Sequence, residues 1–521
     1  MNIWLVSREY AGIAEAGGVK NVACSLSENL VRLGHDVTLF IPFYGCTSLS
    51  KIDDYDDSKS LTASVQVKSK EECVEFSHGT KKGVRIVFVH HPSFLEKKAV
   101  YTYTQEEEQC NPAHKKGHGH EDSISMNIIF QKSVVAYSKF AVSCPDVIHC
   151  QDAATALVSC FARQISYFDG TKFAVTIHNA GPAYHHEFKS IDQAAEYTGL
   201  DRSLLETGLN GGCVEPFLLA SRYACLTTVS PEYADEILSG KTDTQGLSEC
   251  LNKLGVRIVG ITNGIEFENY DPVDTSKSRL PFAFNPFMKD FDGKIENRKF
   301  FLENFAAKSC LKSNASKGLD QFGYIDFSDG EKISDYVYIA YHGRVVSQKG
   351  IDVMVTAVDQ LLSNHSDLKL KFLFVGQGDS SLEDSLAGLA GKFKGSVVYL
   401  KGYEKLSARL CVASADFSLH PSYFEPCGLE DFIAQTFGTI PVAHSTGGLC
   451  KIVDEETGFL YSPNTPDVLS SLLASLVKLM NYGGREMFVT MISYAFSYVH
   501  KNYSWTKIAS KYIDLFNSIK L

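Results

Sequence analysis

The chain has 521 residues, 44% of them hydrophobic and 21% charged, which excludes a mainly disordered, collagen-like or coiled-coil protein. Single cores stop growing near about 250–300 residues, so about two to four domains are expected. The formal net charge is −11, from 50 Lys and Arg against 61 Asp and Glu. An acidic surface repels phosphate backbones and disfavours nucleic acid as a partner, although a local basic pocket for a small anion remains possible.

Residues 2–7 read as a short buried strand, apart from Asn2. Arg8 and Glu9 follow before any apolar region is long enough for a signal peptide, and no later stretch reaches about 18 apolar residues. Neither export nor a membrane partner is therefore expected, and a cytoplasmic location is. A turn from Gly12 to Gly18 leads into a helical face of Val19, Val22, Ala23, Leu26, Leu30 and Leu33, ended by Gly34. Val37 to Ile41 is a second strand, and strand, glycine loop, helix, strand makes a βαβ unit with a parallel sheet. His114, His118 and His120 lie in a Gly- and Lys-rich stretch with loose spacing and read as a solvated loop. His185, His186 and Glu187 lack the helical His-Glu-x-x-His spacing, so no metal site is expected. The 14 cysteines are scattered without Cys-x-x-Cys and read as reduced, mostly buried thiols.

The same grammar returns after a weaker stretch, about Thr275 to Asp335, that holds some helix-like sequence but no clean alternating pattern. Val337 to Tyr341 is a strand, Gly343 to Gly350 a loop, and Ile351, Met354, Val355, Val358, Leu361 and Leu362 one helical face. Leu370 to Val375, Val397 to Leu400 and Phe417 to His420 are further strands. The fold class is therefore α/β, with two doubly wound Rossmann-like domains whose ligand crevices, beyond the strand C-termini, can face one another. Trp505, Ile508, Tyr512 and Leu515 mark a last amphipathic helix.

Six motifs carry chemistry. Glu15-Ala16-Gly17-Gly18 precedes a helix, where a ligand can approach the backbone and the helix N-terminus suits phosphate. Asp152 follows a strand, and by itself reads as a helix cap. Thr176-Ile177-His178-Asn179 delivers a histidine to a strand end, while Thr228-Val229-Ser230-Pro231 and Asn263-Gly264-Ile265 are strand-to-turn transitions. Gly343-Arg344 with Lys349-Gly350 places two cations on a loop that opens a helix, a plausible diphosphate clamp. The most specific block is Glu425-Pro426-Cys427-Gly428-Leu429, followed by Gly438-Thr439-Ile440-Pro441-Val442 and Thr446-Gly447-Gly448-Leu449. It sets a carboxylate on a turn before a helix N-terminus.

Together, and in this order, these motifs resemble bacterial-type glycogen synthases and plant-type starch synthases, retaining glucosyltransferases of the GT-B fold. The resemblance implies a nucleoside-diphosphate glucose donor, usually ADP-glucose, and the non-reducing end of an α-1,4-glucan such as glycogen as acceptor. It implies no cofactor and no metal. By similarity, His178, Arg344, Lys349 and Glu425 are the catalytic set. Glu15, Gly17, Gly18, Lys20, Asn263, Cys427, Gly428, Leu429, Thr446, Gly447 and Gly448 bind the donor, and Glu9 and Asp152 lie on the acceptor side. Two domains are implied, 1–262 and 263–496, with a C-terminal helix from about 497 to 521 docking back on the first. The sequence leaves the oligomeric state open.

The chain departs from the family's Lys-x-Gly-Gly-Leu signature, with Glu15 in first place and Val19 in last. That reverses a charge beside the expected donor, and Lys20 is expected to replace part of it. Ala153 and Ala154 follow Asp152 where Trp and His are frequent in the family, which removes an aromatic platform for glucan. A GT-B transferase acting on a small acceptor and a non-catalytic glucan-binding relative are the alternatives. A dinucleotide oxidoreductase is remote, since no Gly-x-Gly-x-x-Gly follows the first strand.

Overall fold

Ile3–Val6 is apolar without alternation, the pattern of a strand covered on both faces. In the computed structural model, which describes residues 1–521, it forms the middle of a nine-stranded sheet. The chain divides into two units, residues 1–264 with 505–521, and residues 265–504.

The strands of the first unit are β1 (Asn2–Val6), β2 (Asp36–Pro42), β3 (Asp53–Val67), β4 (Lys70–Lys81), β5 (Val84–His90), β6 (Val147–Gln151), β7 (Lys172–Ile177), the short pair β8 (Leu209–Asn210) and β9 (Cys213–Val214), β10 (Cys225–Thr228) and β11 (Ile258–Gly260). The main sheet runs β11-β10-β7-β6-β1-β2-β5-β4-β3. It is parallel from β11 to β5, and β4 and β3 extend it antiparallel. The chain runs from β1 to β2 and β5 on one side, then returns to β6 and β7 on the other. The strand order thus reverses at β1, and the crevice beyond the ends of β1 and β6 is where such sheets bind ligands.

In the second unit the strands are β12 (Asp320–Gly323), β13 (Val337–His342), β14 (Leu370–Gly376), β15 (Val397–Lys401), β16 (Phe417–His420), β17 (Ile440–His444) and β18 (Phe459–Tyr461). They run β12-β15-β14-β13-β16-β17-β18, all parallel except β12. Here the order reverses between β13 and β16. The helix Ile351–Asn364 after β13 packs Ile351, Met354, Val358 and Leu361 onto this sheet. The weaker stretch between the halves contains a helix, Asp292–Phe301, that buries Lys294 and Arg298. The Lys294 ammonium donates to the carbonyls of Ala413 and Phe437, and Arg298 pairs with Asp416 at 2.7 Å.

Four details differ from the sequence expectation. The helix Arg485–Tyr503 keeps residues 497–503 in the second unit; Ser504 leaves helical geometry, and the return to the first unit begins at Trp505. Asn263 belongs to the first unit, because Ile261 continues from β11 by donating its N–H to the Thr228 carbonyl. His120 is buried rather than solvated, against the ring of Tyr103. The cysteines are also less interior than expected: Cys73 and Cys110 are exposed, and only Cys24, Cys150, Cys160, Cys310, Cys411 and Cys427 are buried.

The helix Trp505–Ser518 buries Trp505, Ile508, Tyr512 and Phe516 against the first unit, and packs along the helix Val19–Arg32. Thr506 donates to Asn29 at 2.9 Å, Lys172 donates to the Phe516 carbonyl at 2.9 Å, and the Phe516 ring meets His149 edge-on. Removing that ring leaves a cavity. Phe516→Ala is expected to lower the unfolding free energy by about 3–5 kcal/mol, read from the denaturant midpoint; a loss below about 1 kcal/mol would show that the helix is not part of the first unit's core.

Candidate active site

At the reversal point of the second unit, two loops meet. The loop after β13 carries Arg344 and Lys349, and the loop after β16 carries Ser422 to Leu429. Gly350 has φ +65°, and a side-chain carbon there would lie 1.9 Å from the Pro421 carbonyl oxygen, so glycine is what lets the loops touch. The Lys349 ammonium then reaches the Glu425 carboxylate at 2.5 Å, with Glu430 4.0 Å away and the Ser422 hydroxyl donating to Glu425 at 3.3 Å. Burial works against charge on Lys349, but Glu430 and Glu425 outweigh it and hold the pKa above its ordinary value. Burial likewise works against ionised Glu430; Lys349 reverses that and holds the carboxyl well below the usual range. Arg344 is exposed, its guanidinium 3.4 Å from the Gln348 side chain.

The Glu425–Leu429 turn is locked from beneath. Gly448 donates its N–H to the Glu425 carbonyl at 2.7 Å, and a side-chain carbon at Gly448 would meet Cys427 at 2.3 Å. Lys451, 2% exposed by its side chain, pairs with Asp431 at 2.9 Å and donates to the carbonyls of Cys427, Gly428 and Gly448. Thr446 donates to the Tyr423 carbonyl at 3.4 Å. Thus Arg344, Lys349, Glu425, Cys427, Gly428, Leu429, Thr446, Gly447 and Gly448 gather around one crevice. Glu430, Asp431 and Lys451 belong to it too, and the sequence reading missed them. Glu430 had a signal, an acid in the first turn of the helix after the motif; Lys451 and Asp431 had none, since their pairing exists only once the turn is folded.

In the first unit, Glu9 follows β1, Asp152 follows β6 and His178 follows β7. Glu9 is 1% exposed and accepts from the Gly17 N–H at 2.6 Å, the Ala16 N–H at 3.1 Å and the Tyr101 hydroxyl at 3.1 Å. Its carboxylate already occupies the Gly17 amide, whereas Gly18, the N-cap of the helix Val19–Arg32, opens onto unfilled space. Glu15 turns away: it accepts from the Gly12 N–H at 2.6 Å and pairs with Lys20 at 3.1 Å. Lys20 therefore neutralises Glu15, instead of standing as an unpaired substitute for the family's lysine.

Asp152 is not the helix cap that the sequence suggested. Its backbone sits at φ 62°, and its carboxylate accepts the His178 N–H at 2.7 Å instead of a helix N–H. Burial pushes its pKa up to about 7. The His178 ring meets the Gln151 side-chain oxygen at 2.8 Å, and burial pulls the imidazole down to about 3, so it is neutral at physiological pH. Asn263 is set apart, beyond the edge strand β11, with a buried amide oxygen that has no hydrogen-bond partner.

Two doubly wound units, each with polar and charged groups at its reversal point, define a GT-B glycosyltransferase. Residues 2–253 match the family model of the starch synthase catalytic domain, and residues 325–491 that of glycosyl transferases group 1. Along its whole length the chain is similar to bacterial-type glycogen synthases and starch synthases, and it is a glucosyltransferase. It is 29% identical to a glycogen synthase of Thermodesulfovibrio yellowstonii, over 100% of this chain and 98% of that protein. A glycogen synthase of Flavobacterium johnsoniae is 26% identical over 100% and 99%. Among solved structures, the catalytic domain of starch synthase IV from Arabidopsis thaliana, bound to ADP and acarbose, shares the fold with a TM-score of 0.77 at 23% identity, covering 99% of this chain and 98% of that one. No helix is long and apolar enough to cross a membrane.

Asp152 yields a pH test. Between about pH 4 and pH 7 the folded chain keeps the Asp152 proton while the unfolded chain has lost it. Stability from this group therefore falls as pH rises through that window, by at most about 1.4 kcal/mol per pH unit. Urea unfolding across pH 4–8 is expected to show this slope in the natural protein and to lose that part of it in Asp152→Asn, which keeps the oxygen that accepts the His178 N–H. Identical slopes in the two proteins would mean that Asp152 is ionised in the fold.

Proposed function

We propose that this enzyme elongates an α-1,4-glucan such as glycogen at its non-reducing end, taking glucose from ADP-glucose in preference to UDP-glucose and retaining the anomeric configuration. The observation that carries the reading is Lys349, charged and fixed by Glu425 beside Arg344 at the reversal point of the second sheet. The relatives named as glycogen synthases support the reaction class, and the ADP in the starch synthase IV structure supports the donor.

Cleavage of the glucosyl–phosphate bond moves negative charge onto the departing diphosphate. Cations fixed before the reaction stabilise that charge more than they stabilise the intact donor, which is the requirement for catalysis. Arg344 is suited to grip two phosphate oxygens, and Lys349 to supply a point charge. On this reading the chain itself meets the leaving group, and no cofactor or metal is assigned to the reaction. Glu425, already paired with Lys349 and bonded by Ser422, is a poor nucleophile and a good acceptor for glucose hydroxyls. It orients the sugar, and retention follows from departure and attack on one face. His178, being neutral, serves the transferred glucose as a hydrogen-bonding group rather than a cation. Glu9 and Asp152 are assigned to the acceptor side. A cytoplasmic location fits 14 cysteines that are all free thiols.

A donor panel with glycogen, maltose and glucose as acceptors tests the proposal. Polymer growth from ADP-glucose on glycogen is expected, with Glu425→Ala lowering kcat by about 10²–10³-fold. Lys20→Ala is expected to raise the donor KM up to about fivefold by leaving Glu15 unneutralised. Transfer only to a small sugar, or unimpaired transfer by Glu425→Ala, would overturn the assignment.

A further inference from the structure

The segment that runs on from His178 is pinned to the β8–β9 hairpin at one place. Phe188 and Val214 exchange both backbone hydrogen bonds, at 2.9 and 2.8 Å. In that antiparallel register Glu187 stands opposite Glu215, and the pleat puts Cys213 on the same face. Gly211 and Gly212, both at positive φ, make the tight turn that brings Cys213 back, and His186 at φ 53° turns the chain ahead of Glu187. The result is a cluster in which ligand atoms of His185, Glu187 and Glu215 lie within 4.8 Å of one another, with the Cys213 thiol beside Glu187.

The protonation pattern inside the cluster is constrained. The His185 Nε2 lies 2.8 Å from the Ala180 carbonyl, which only accepts, so Nε2 carries a hydrogen. In the neutral ring Nδ1 is then a lone pair, and it points at Glu215 Oε2 3.0 Å away. The side chains are 1% and 0% exposed, and these two atoms have no other partner. Two buried acceptors at that distance need a positive charge between them. A proton on Nδ1 bridges only these two atoms, whereas one divalent cation can engage Glu187 and an ionised Cys213 as well, at the same net charge. A histidine that ligates through one nitrogen while its other N–H is held by a backbone carbonyl is the usual metal-ligand arrangement.

We propose that His185, Glu187, Cys213 and Glu215 form a structural zinc site that clips the segment following His178 to the β8–β9 hairpin. The nitrogen, carboxylate and thiol donors suit zinc better than the hard, oxygen-seeking magnesium or calcium. The role is distinct from sugar transfer and does not rest on the proposed reaction. The sequence hid the site because His185 and Glu187 lack helical spacing, and the other two ligands arrive from a hairpin that only the fold reveals.

The full-length protein, stripped by dialysis against EDTA, is titrated with zinc chloride by calorimetry, and bound metal is counted by inductively coupled plasma mass spectrometry. One zinc per chain and a higher Tm with zinc are expected. Because His185→Ala removes a buried side chain and threatens folding, the half-buried positions carry the test: Glu187→Gln and Cys213→Ser are each expected to weaken zinc binding by about tenfold or more and to abolish the zinc-dependent rise in Tm. A stripped protein that takes up no zinc, or variants that bind it as the natural protein does, would overturn the site and leave a protonated His185–Glu215 ion pair in its place.

Discussion

Lys349 is a charged side chain in a place that penalises charge, and the crevice around it is built to keep it there. Glu425 comes from the turn after β16 and Glu430 from the following helix, so the two carboxylates that hold the ammonium belong to a segment remote in sequence. That closeness depends on Gly350, where any side chain would collide with Pro421, and on Gly448, where any side chain would collide with Cys427. Lys451 and Asp431 then fix the turn from the interior. A buried pair of this kind contributes little net stability, because desolvation offsets the attraction, but removing one partner is costly. Its value lies in geometry: one cation and one carboxylate are set before a substrate arrives.

The first unit answers the same problem differently. Its glycine pair sits before a helix with no acidic residue in the first turn, so the helix end keeps its partial positive charge. One amide there is taken by Glu9, and the acid at position 15 is neutralised by Lys20. On the proposed reading, a protein of net charge −11 meets the donor's diphosphate with a few local groups: Arg344, Lys349 and the open backbone around Gly18. The neutral state of His178 fits this division, since its ring adds hydrogen bonding without adding charge.

Much of this was legible in the sequence. Unbroken apolar runs such as Ile3–Val6 and Leu370–Gly376 announce parallel strands, and the glycines between strand and helix mark both crevices. The antiparallel extension was not legible, because β3 opens with Asp53-Asp54-Tyr55-Asp56-Asp57 and alternates buried with exposed residues only from Ala63 onward; pairing with β4 makes it a strand, not its own propensity. The helix Asp292–Phe301 showed no clean apolar face because its buried side includes Lys294 and Arg298, whose polar ends are satisfied by carbonyls and Asp416 from distant segments. Asp152 misled for a related reason: its position before a helix suggests a cap, and only the neighbouring strand shows that its partner is the His178 amide. Motif residues were readable where chemistry is local in sequence, and unreadable where it depends on long-range pairing.

The central claim is that Lys349 is the fixed cation for the donor's diphosphate, and that Glu425 positions it and the sugar without itself binding phosphate. Calorimetric titration with ADP separates these roles most directly. Lys349→Met is expected to weaken ADP binding by about thirtyfold or more. Glu425→Gln is expected to leave ADP affinity unchanged or tighter, since it removes a negative charge while Glu430 still faces the ammonium. A Lys349→Met protein that binds ADP as tightly as the natural enzyme would contradict the account.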